Sequence, residues 1–461
     1  MIPLTTWSNQ AREFTPHRWV GRLRRIAGSV LESDGPPCTV GDVVDVMQDG
    51  GVVKALVIGV HDERVQALAL TDDVRPTPEA RVARTPEGLW APVGEGILGR
   101  VLGPLGQPLD DKPLPRDLEA VPLTQKAPPA LERQPLRRRF QSGVSAIDCL
   151  LPMAFGQRVG IFAGSGVGKS SLLGMIARNN PGLISVIALI GERGREVKEF
   201  LEDDLGDALS HSVVVVATSD QPAPARMLGA EYATAIAEWF RSRGHDVVLV
   251  VDSLTRYAMA LREVGLAAGE IAAARGYPPS VFGAIPRLLE RSGADAHGTI
   301  TAFYTVLVEG DDLSEPITDT ARATLDGHIV LARPLADQGH YPAIDPAASV
   351  SRLTRRVANA RHLALMQRFR ELWSAHESNR DLLRMGAYAP GSDAALDEAL
   401  AHWDGMRALL RQGQEVPGPT DPVAALAVAL GEAPGSGTWE GAPNPPAPVP
   451  ERPDSPVDAK E

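Results

Sequence analysis

The sequence predicts an α/β protein with three folded parts followed by a proline-rich tail. Three observations support this prediction. Valine-rich runs separated by turn residues fill positions 22–93, apolar runs alternate with helical patterns from 143 to about 346, and helical periodicity dominates 348–412. We therefore expect a small β-barrel, a parallel sheet with crossover helices and a helical C-terminal domain, in that order.

Composition is that of a globular chain. The 461 residues are 44% hydrophobic and 23% charged, and no apolar run approaches the roughly 18–20 residues of a membrane helix. The first residues lack the basic head and apolar core of a signal peptide, so none is predicted. Two cysteines, Cys38 and Cys149, form no disulfide framework or metal cluster, which favours a reducing cytosol. The net charge of −12 argues against bulk nucleic-acid binding.

The first folded part, residues 22–93, is predicted to be all-β. Val43–Met47 and Val52–Val60 are rich in residues that favour strands, and turn residues recur at the roughly 8–12-residue spacing of small barrels. Such a barrel could bind oligonucleotides, but it offers few aromatic rings for stacking bases, and an oligomerisation collar is the preferred interpretation. Residues 1–21 are predicted to be a frayed arm, with a partner-binding segment as the alternative.

Residues 159–178 organise the rest of the chain. An apolar run, Val159–Ala163, is followed by a glycine-rich turn and then by a helical pattern, which is the order strand, phosphate loop, helix. Glycines let backbone N–H groups converge on an anion, and the helix N-terminus adds positive potential. Ala163 replaces the first glycine of the strict motif. The sequence therefore predicts a nucleoside triphosphate site formed by Gly164, Ser165, Gly166, Val167, Gly168, Lys169, Ser170 and Ser171.

Two further predicted strands deliver carboxylates to the same edge of the sheet. Ile184–Ile190 precedes Glu192, and Val247–Val251 precedes Asp252. Since ligand groups project from the carboxyl ends of parallel strands, Glu192 could polarise an attacking water and Asp252 could serve Mg²⁺. Alternatively, Glu192 caps the next helix or pairs with Arg193, and Asp252 is a helix N-cap. The six strands predicted for this sheet are Val159–Ala163, Ile184–Ile190, Val213–Ala217, Val247–Val251, Thr299–Val306 and His328–Leu331.

Three later positions carry open alternatives. The stiff turn at 275–282 suits close contact with something passing alongside, or is a tight connector. Tyr341 could stack on a base or be a half-buried core residue. Arg352 could serve its own site or a neighbour's, or be a surface arginine near a helix start.

Together these stretches resemble one family. The chain resembles the ATPases of flagellar and type III secretion export systems, which are similar in turn to the catalytic subunits of rotary ATP synthases. The stretches that carry this resemblance are GSGVGKSS, ALIGERGREV, VVDSLTRYAMA, ARGYPPSVF, GTITAFYTVLVEGDD, LDGHIVLARPLA and GHYPAIDPAASVSRL. The resemblance extends from about Arg22 to about Leu400 and includes RMGAYAPGSDAALDEAL. It implies a β-barrel at 22–93, a RecA-like P-loop ATPase domain at 94–347 and a helical domain at 348–415.

The resemblance also implies residue roles in Mg²⁺-dependent ATP hydrolysis. Lys169 would contact phosphate, and Ser170 and Asp252 would hold the metal. The remaining implied roles are water activation by Glu192 with Arg193 beside it, adenine stacking on Tyr341, and an arginine finger, Arg352, supplied to the adjacent protomer.

A homo-hexameric ring follows from the same resemblance. In rotary synthases the catalytic glutamate and the finger come from different polypeptides, whereas Glu192 and Arg352 lie on one chain, so identical copies can complete one another's sites. The implied setting is the cytoplasm beside the inner membrane, with no nucleic acid. The implied partners are export-gate membrane proteins, central-stalk and stator-like regulatory proteins, and export substrates with their chaperones. Two rival functions stay open, a RecA-like ring translocase on nucleic acid and a nucleotide-binding, non-catalytic ring subunit.

Three features depart from the family. Ile271-Ala272 replaces a Pro-Pro or similar pair, which predicts a softer pore-facing loop. The N-terminal arm is short, which argues against the usual docking of a regulatory stator-like partner. Residues 416–461 hold 11 prolines and have a net charge of −5, since seven acidic residues face two basic ones. This tail is predicted to be disordered, interrupted by an apolar helical patch at Val423–Leu430.

Overall fold

The computed structural model describes residues 20–85, 88–308 and 315–433. Three parts of the predictions lie outside the described residues: most of the arm, the end of the GTITAFYTVLVEGDD stretch and the tail from residue 434. Within those residues the predicted architecture of barrel, parallel sheet and C-terminal helices is confirmed. No helix in these three ranges is long and apolar enough to cross a membrane.

The N-terminal domain is a closed six-stranded barrel. Its six strands are β1 Val20–Ala27, β2 Val30–Ser33, β3 Val43–Gln48, β4 Gly51–His61, β5 Arg64–Ala69 and β6 Arg81–Arg84. They follow the order β1-β2-β5-β4-β3-β6, and β6 pairs with β1 to close the barrel. Alternate side chains, such as Val44 and Val46 of β3, point into a core that Leu31 and Val57 share. Closure leaves the barrel without a free edge.

Thirteen further strands follow in the described chain. They are β7 Trp90–Val93, β8 Arg100–Leu102, β9 Glu119–Pro122, β10 Arg139–Phe140, β11 Met153–Ala154, β12 Arg158–Ala163, β13 Ile184–Ile190, β14 Ser212–Ala217, β15 Asp246–Asp252, β16 Gly293–Ala294, β17 Thr299–Leu307, β18 Gly327–Leu331 and β19 Val350–Ser351. The six strands predicted for the central sheet match β12, β13, β14, β15, β17 and β18 to within a residue or two at each end. The sheet order is β19-β18-β12-β17-β15-β13-β14-β8, and the strands from β18 to β8 are parallel.

The α-helices alternate with these strands and then accumulate at the C-terminus. They are α1 Ser145–Leu150, α2 Lys169–Arg178, α3 Gly194–Glu199, α4 Ala223–Ser242, α5 Leu254–Ala267, α6 Pro279–Leu289, α7 Pro316–Thr324, α8 Arg333–Ala336, α9 Thr354–Val357, α10 Ala360–Ser378, α11 Arg380–Arg384, α12 Ala394–Leu410 and α13 Pro422–Ala429.

The central strands are apolar on both faces because helices cover both faces of the sheet. On β13, Ile187 and Leu189 enter a core shared with α2 and with C-terminal helices α10, α12 and α13. Val186 and Ala188 enter the opposite core, which α4, α5 and α6 supply. The loop before α2 and the ends of β13 and β15 therefore meet at one edge of a sheet that is fixed from both sides.

Two segments differ from the expectation drawn from sequence. The six strands predicted for the central sheet do not include β8, which extends that sheet beside β14. Its three residues include an arginine, so no apolar run identifies it. The helical patch placed at Val423–Leu430 is present as α13, but it is packed rather than set in a disordered tail. Val423 and Leu426 are buried against the helices of the C-terminal domain.

A buried ion pair holds β8 to the connecting segment that follows it. Arg100, only 5% exposed, donates to both carboxylate oxygens of Asp110 at 2.6 and 2.8 Å and to the carbonyl oxygens of Lys112 and Pro113. The Arg100 hydrogen bonds outweigh burial and lower the pKa of Asp110 to about 2. The pair therefore persists far into the acid range.

We expect Asp110→Ala to lower the free energy of unfolding by about 3 kcal/mol, because it leaves a buried guanidinium without its counter-ion. Chemical denaturation of the two proteins at neutral pH measures this difference. The contribution should be complete above about pH 4, the ordinary carboxyl range, and should vanish as the pH falls toward 2. Asp117→Ala, an exposed change in the same segment, is the matched control and should shift stability by less than about 0.5 kcal/mol. Equal stability of Asp110→Ala and the wild type would contradict the structural role of the pair.

Candidate nucleotide-binding and hydrolysis site

The phosphate loop runs from the end of β12 into the first turn of α2. Gly166 and Gly168 have φ values of 73° and 89°, a region that favours glycine, and Gly168 is the N-cap of α2. A Cβ added at Gly168 would lie 3.2 Å from Cδ1 of Tyr341, so the residue must also be small. The first turn of α2 contains no acidic side chain to compete for its N–H groups. The loop is thus shaped to receive an anion.

Lys169, the first residue of α2, lies between two carboxylates. Its Nζ is 2.6 Å from Oδ1 of Asp252 and 3.1 Å from Oε1 of Glu192. All three side chains are largely buried, with exposed fractions of 13% for Lys169, 16% for Glu192 and 3% for Asp252. Burial alone would lower the pKa of Lys169, but the two carboxylates outweigh it, so the net shift is upward. The lysine is a fixed cation beside the loop.

Glu192 follows β13 and titrates near neutrality. Burial raises its pKa to about 7, and the negative charge of Asp252 adds to the shift while Lys169 opposes it. It does not cap the next helix, because Arg193 is the N-cap of α3 and its backbone N donates to the Glu196 carboxylate. The sequence left helix capping and pairing with Arg193 as alternatives for Glu192, but its carboxylate contacts Lys169 instead. A carboxylate poised near pH 7 suits general-base catalysis.

Asp252 ends β15 and is held by two donors. Besides Lys169, the hydroxyl of Thr305 on β17 donates to Oδ1 at 2.7 Å. The N-cap of α5 is Ser253, whose Oγ accepts from the backbone N of Arg256, so Asp252 is not the capping residue.

The residues present fit a magnesium ion. No group of three or more histidine, cysteine, aspartate or glutamate side chains within the described residues could hold a metal. Mg²⁺ requires no such cluster, because it keeps several waters and takes one or two protein oxygens plus substrate phosphates. The hydroxyl of Ser170 and the carboxylate of Asp252, both lining the same cavity, are oxygen donors of that kind.

One side of the cavity is formed by the C-terminal part of the chain. Tyr341 is 45% exposed into a cavity of about 700 Å³ that extends from the phosphate loop, so it is not a core tyrosine. The backbone N of Gln412 donates to the Tyr341 carbonyl oxygen at 3.0 Å, and Pro342 and Gln414 line the same end. The sequence-predicted residues that line this cavity are Gly164, Ser165, Gly166, Gly168, Lys169, Ser170, Ser171, Glu192, Arg193, Asp252 and Tyr341.

Two predicted residues do not present side chains to the cavity. Val167 is 1% exposed and its side chain belongs to the hydrophobic core, so only its backbone is available to a ligand. Arg352 is exposed, its backbone N bonds to the carbonyl oxygen of Asp326 and its guanidinium bonds to that of Arg322. Arg193 does line the cavity, with its side chain 81% exposed at the rim.

Several residues of the site carry no role in the prediction from sequence. Arg256 lines the cavity, and its buried Nε has no hydrogen-bond partner among the described residues. Its position four residues after Asp252, in the first turn of α5, is a signal that could have identified it. Arg333 donates to the carbonyl oxygen of Ser165 at 2.9 Å and so supports the phosphate loop. No sequence pattern identifies Gln414 as a residue of this cavity, because it lies far along the chain from the phosphate loop.

A phosphate loop, a helix N-terminal lysine and two strand-end carboxylates converge at the carboxyl edge of a parallel sheet. This arrangement defines the class of P-loop nucleoside triphosphatases.

The family within that class is given by comparison with known proteins. Residues 143–351 match the nucleotide-binding domain of the ATP synthase alpha/beta family, and residues 358–425 match the C-terminal domain of the type III secretion ATPase EscN. The chain is 48% identical over 401 residues to the flagellum-specific ATP synthase of Bacillus subtilis, covering 86% of this chain and 92% of the relative. It is 42% identical over 424 residues to the type 3 secretion system ATPase of Xanthomonas euvesicatoria, covering 91% and 95%.

Solved structures agree with the sequence relatives. The assembled ATPase EscN of the enteropathogenic E. coli type III secretion system is 38% identical, with a TM-score of 0.82 over 89% of this chain and 100% of that chain. The chain belongs to the family of flagellar and type III secretion ATPases, as its motifs predicted, and it is an ATPase. The comparisons support neither the nucleic-acid translocase nor the non-catalytic ring subunit.

We expect kcat/KM for ATP hydrolysis to fall about tenfold for each pH unit below about 7, because only ionised Glu192 can accept a proton. The pH dependence of kcat/KM reports the pKa of the free enzyme, so initial rates at low ATP concentration from pH 5.5 to 8.5 test this. ATP affinity measured at each pH separates titration of the substrate from titration of Glu192. A flat profile between pH 5.5 and 7 would contradict a base with this pKa.

Proposed function

We propose that the chain hydrolyses Mg-ATP to energise protein export by a flagellar or type III secretion apparatus. The observation that carries this proposal is the cluster of Lys169, Glu192 and Asp252 beside one phosphate loop, in a chain that belongs to the export ATPase family. Each group of the cluster has a task in phosphoryl transfer to water, and the cavity extends to a tyrosine suited to a base.

In the proposed mechanism the backbone N–H groups of residues 164–168 and the ammonium of Lys169 bind the triphosphate. Glu192 orients the attacking water and takes up its proton as the oxygen–phosphorus bond forms and the bond to ADP breaks. Tyr341 positions the base by stacking. Mg²⁺, held by Ser170 and Asp252, would neutralise charge on the phosphate oxygens.

A neighbouring copy completes the site in this proposal. Arg352 does not line the cavity of its own chain, and it lies exposed at the start of the C-terminal domain. As a finger entering the next protomer's cavity, it would stabilise charge on the transferred phosphoryl group, an effect of roughly 10³–10⁵ in rate. Because Glu192 and Arg352 lie on one chain, a closed ring of identical copies gives every site both a Glu192 and a neighbour's Arg352. We propose that this ring is a homo-hexamer.

The proposed partners follow from this role. EscN has been solved in complex with its central stalk EscO, and that structure matches this chain with a TM-score of 0.82. We propose a comparable stalk-like partner here. Ile271, on the loop predicted to face a pore, is 85% exposed and available for such contact. The other proposed partners are export-gate membrane proteins, stator-like regulators, and export substrates with their chaperones. We propose that the chain meets them at the cytoplasmic face of the inner membrane.

We expect the ATPase rate per protomer to rise steeply with protein concentration, because an isolated protomer lacks the finger. Hydrolysis measured across a dilution series, with mass determined at each concentration by light scattering, should place the rise where hexamers form. A stable monomer whose rate is independent of concentration would contradict a shared active site.

Mixing two inactive variants tests the finger directly. Glu192→Gln should bind ATP without turnover, and Arg352→Ala should lose most activity in the ring. Co-assembled one to one, they should regain about a quarter of wild-type activity, because a quarter of random interfaces pair an intact Glu192 with an intact Arg352. Each variant assembled alone is the control. Mixed rings with no more activity than the parents would show that Arg352 does not act in trans.

A further inference from the structure

A buried hydroxyl on β17 contacts the carboxylate that serves magnesium in the proposed mechanism. Thr305 is fully buried, and its Oγ1 lies 2.7 Å from Oδ1 of Asp252. Since an ionised carboxylate only accepts hydrogen bonds, the threonine hydroxyl is the donor. The other acceptor near this hydroxyl, the carbonyl oxygen of Val251, is 3.5 Å away, so the proton is directed to Asp252.

The two donors to Asp252 converge on the same oxygen. Lys169 Nζ lies 2.6 Å from Oδ1, the atom that Thr305 also contacts, and no described residue donates a hydrogen bond to Oδ2. Two donors on one oxygen fix the plane of the carboxylate and leave the second oxygen available to another ligand. The carboxylate is therefore oriented and not merely neutralised.

Thr305 and Lys169 differ in how firmly they can hold Asp252. Lys169 has a long side chain that also contacts Glu192 and that must reach phosphate in the proposed mechanism. Thr305 sits on β17, which is paired with β12 on one side and β15 on the other, so its backbone cannot move independently of the site. The hydroxyl is the donor whose contact with Asp252 does not compete with substrate.

We propose that Thr305 is a positioning residue for magnesium binding. It holds the Asp252 carboxylate in the orientation that presents Oδ2 to the metal. This inference rests on the proposed function, because it assigns the orientation of a group whose metal role belongs to that proposal. Hydrogen-bond partners of metal-binding carboxylates typically contribute 10- to 100-fold to metal affinity or activity.

The test compares Thr305→Val, which keeps the shape but removes the hydroxyl, with Thr305→Ser, which keeps the hydroxyl. Binding of a fluorescent ATP analogue to the full chain is measured in excess Mg²⁺ and in EDTA. The ratio of the two affinities is the magnesium-dependent gain. We expect Thr305→Val to reduce this gain about tenfold or more while Mg²⁺-free affinity stays within about twofold of wild type, and Thr305→Ser to retain it.

A matched control comes from the same strand. Thr301, four residues earlier on β17, is equally buried, but its hydroxyl accepts from the backbone N of Gly156 at 3.0 Å. Thr301→Val should lower the unfolding temperature yet leave the magnesium-dependent gain unchanged. If Thr305→Val does not fold, Thr305→Ala replaces it in the same assay, because it removes the hydroxyl without adding a methyl group.

The outcomes separate this inference from the proposed function. A wild-type gain in a folded Thr305→Val or Thr305→Ala protein overturns the role of Thr305 and leaves the proposed hydrolysis standing. If Thr301→Val loses the magnesium-dependent gain to the same extent, the role of Thr305 is also overturned, because any buried substitution on β17 would then weaken magnesium binding. A wild-type chain that gains nothing from Mg²⁺ overturns the magnesium role of Asp252 itself, and the proposed function with it.

Discussion

The site depends on one buried ammonium placed between two carboxylates. Burial and the charge of Asp252 raise the free-energy cost of ionising Glu192, and Lys169 is the cation that offsets this cost. Removing Lys169 would leave two buried acids without a counter-ion. Because a charge cluster of this kind is stable only with close contacts, the chain must bring three segments, distant in sequence, to within hydrogen-bond distance.

The parallel sheet provides that convergence. The phosphate loop follows β12, Asp252 ends β15 and Glu192 follows β13, while β17 lies between β12 and β15. The carboxyl ends of parallel strands meet at one edge, so each strand supplies one group to the same cavity. Helices on both faces bury the strands completely, which fixes the spacing of these groups. The geometry of this site is therefore set by the buried central sheet.

The side of the cavity that Tyr341 lines is built differently from the side that holds Lys169, Glu192 and Asp252. Tyr341 precedes the C-terminal helices, and Gln412 and Gln414 follow α12, with the Gln414 carbonyl oxygen bound by the Arg178 guanidinium at the end of α2. The side chain of Gln412 is buried and bonds to the backbone of Gly143 and Ser145. The C-terminal domain is thus attached to the last turn of the phosphate-loop helix and to the backbone at the start of α1, so its position and the shape of the cavity depend on each other.

By itself the sequence determined the features whose signal is local. A glycine-rich turn, an apolar run ending in an acid and a valine-rich run each depend on residues close together in the chain, and the phosphate loop, Glu192, Asp252 and the barrel were predicted from them. The tertiary structure decided what depends on contacts between distant residues. The edge strand β8 pairs with β14, which lies far along the chain. The apolar patch at α13 packs into a core supplied by other helices, and Thr305 reaches Asp252 from 53 positions away. No local pattern marks such pairs, because the physical cause is packing in three dimensions.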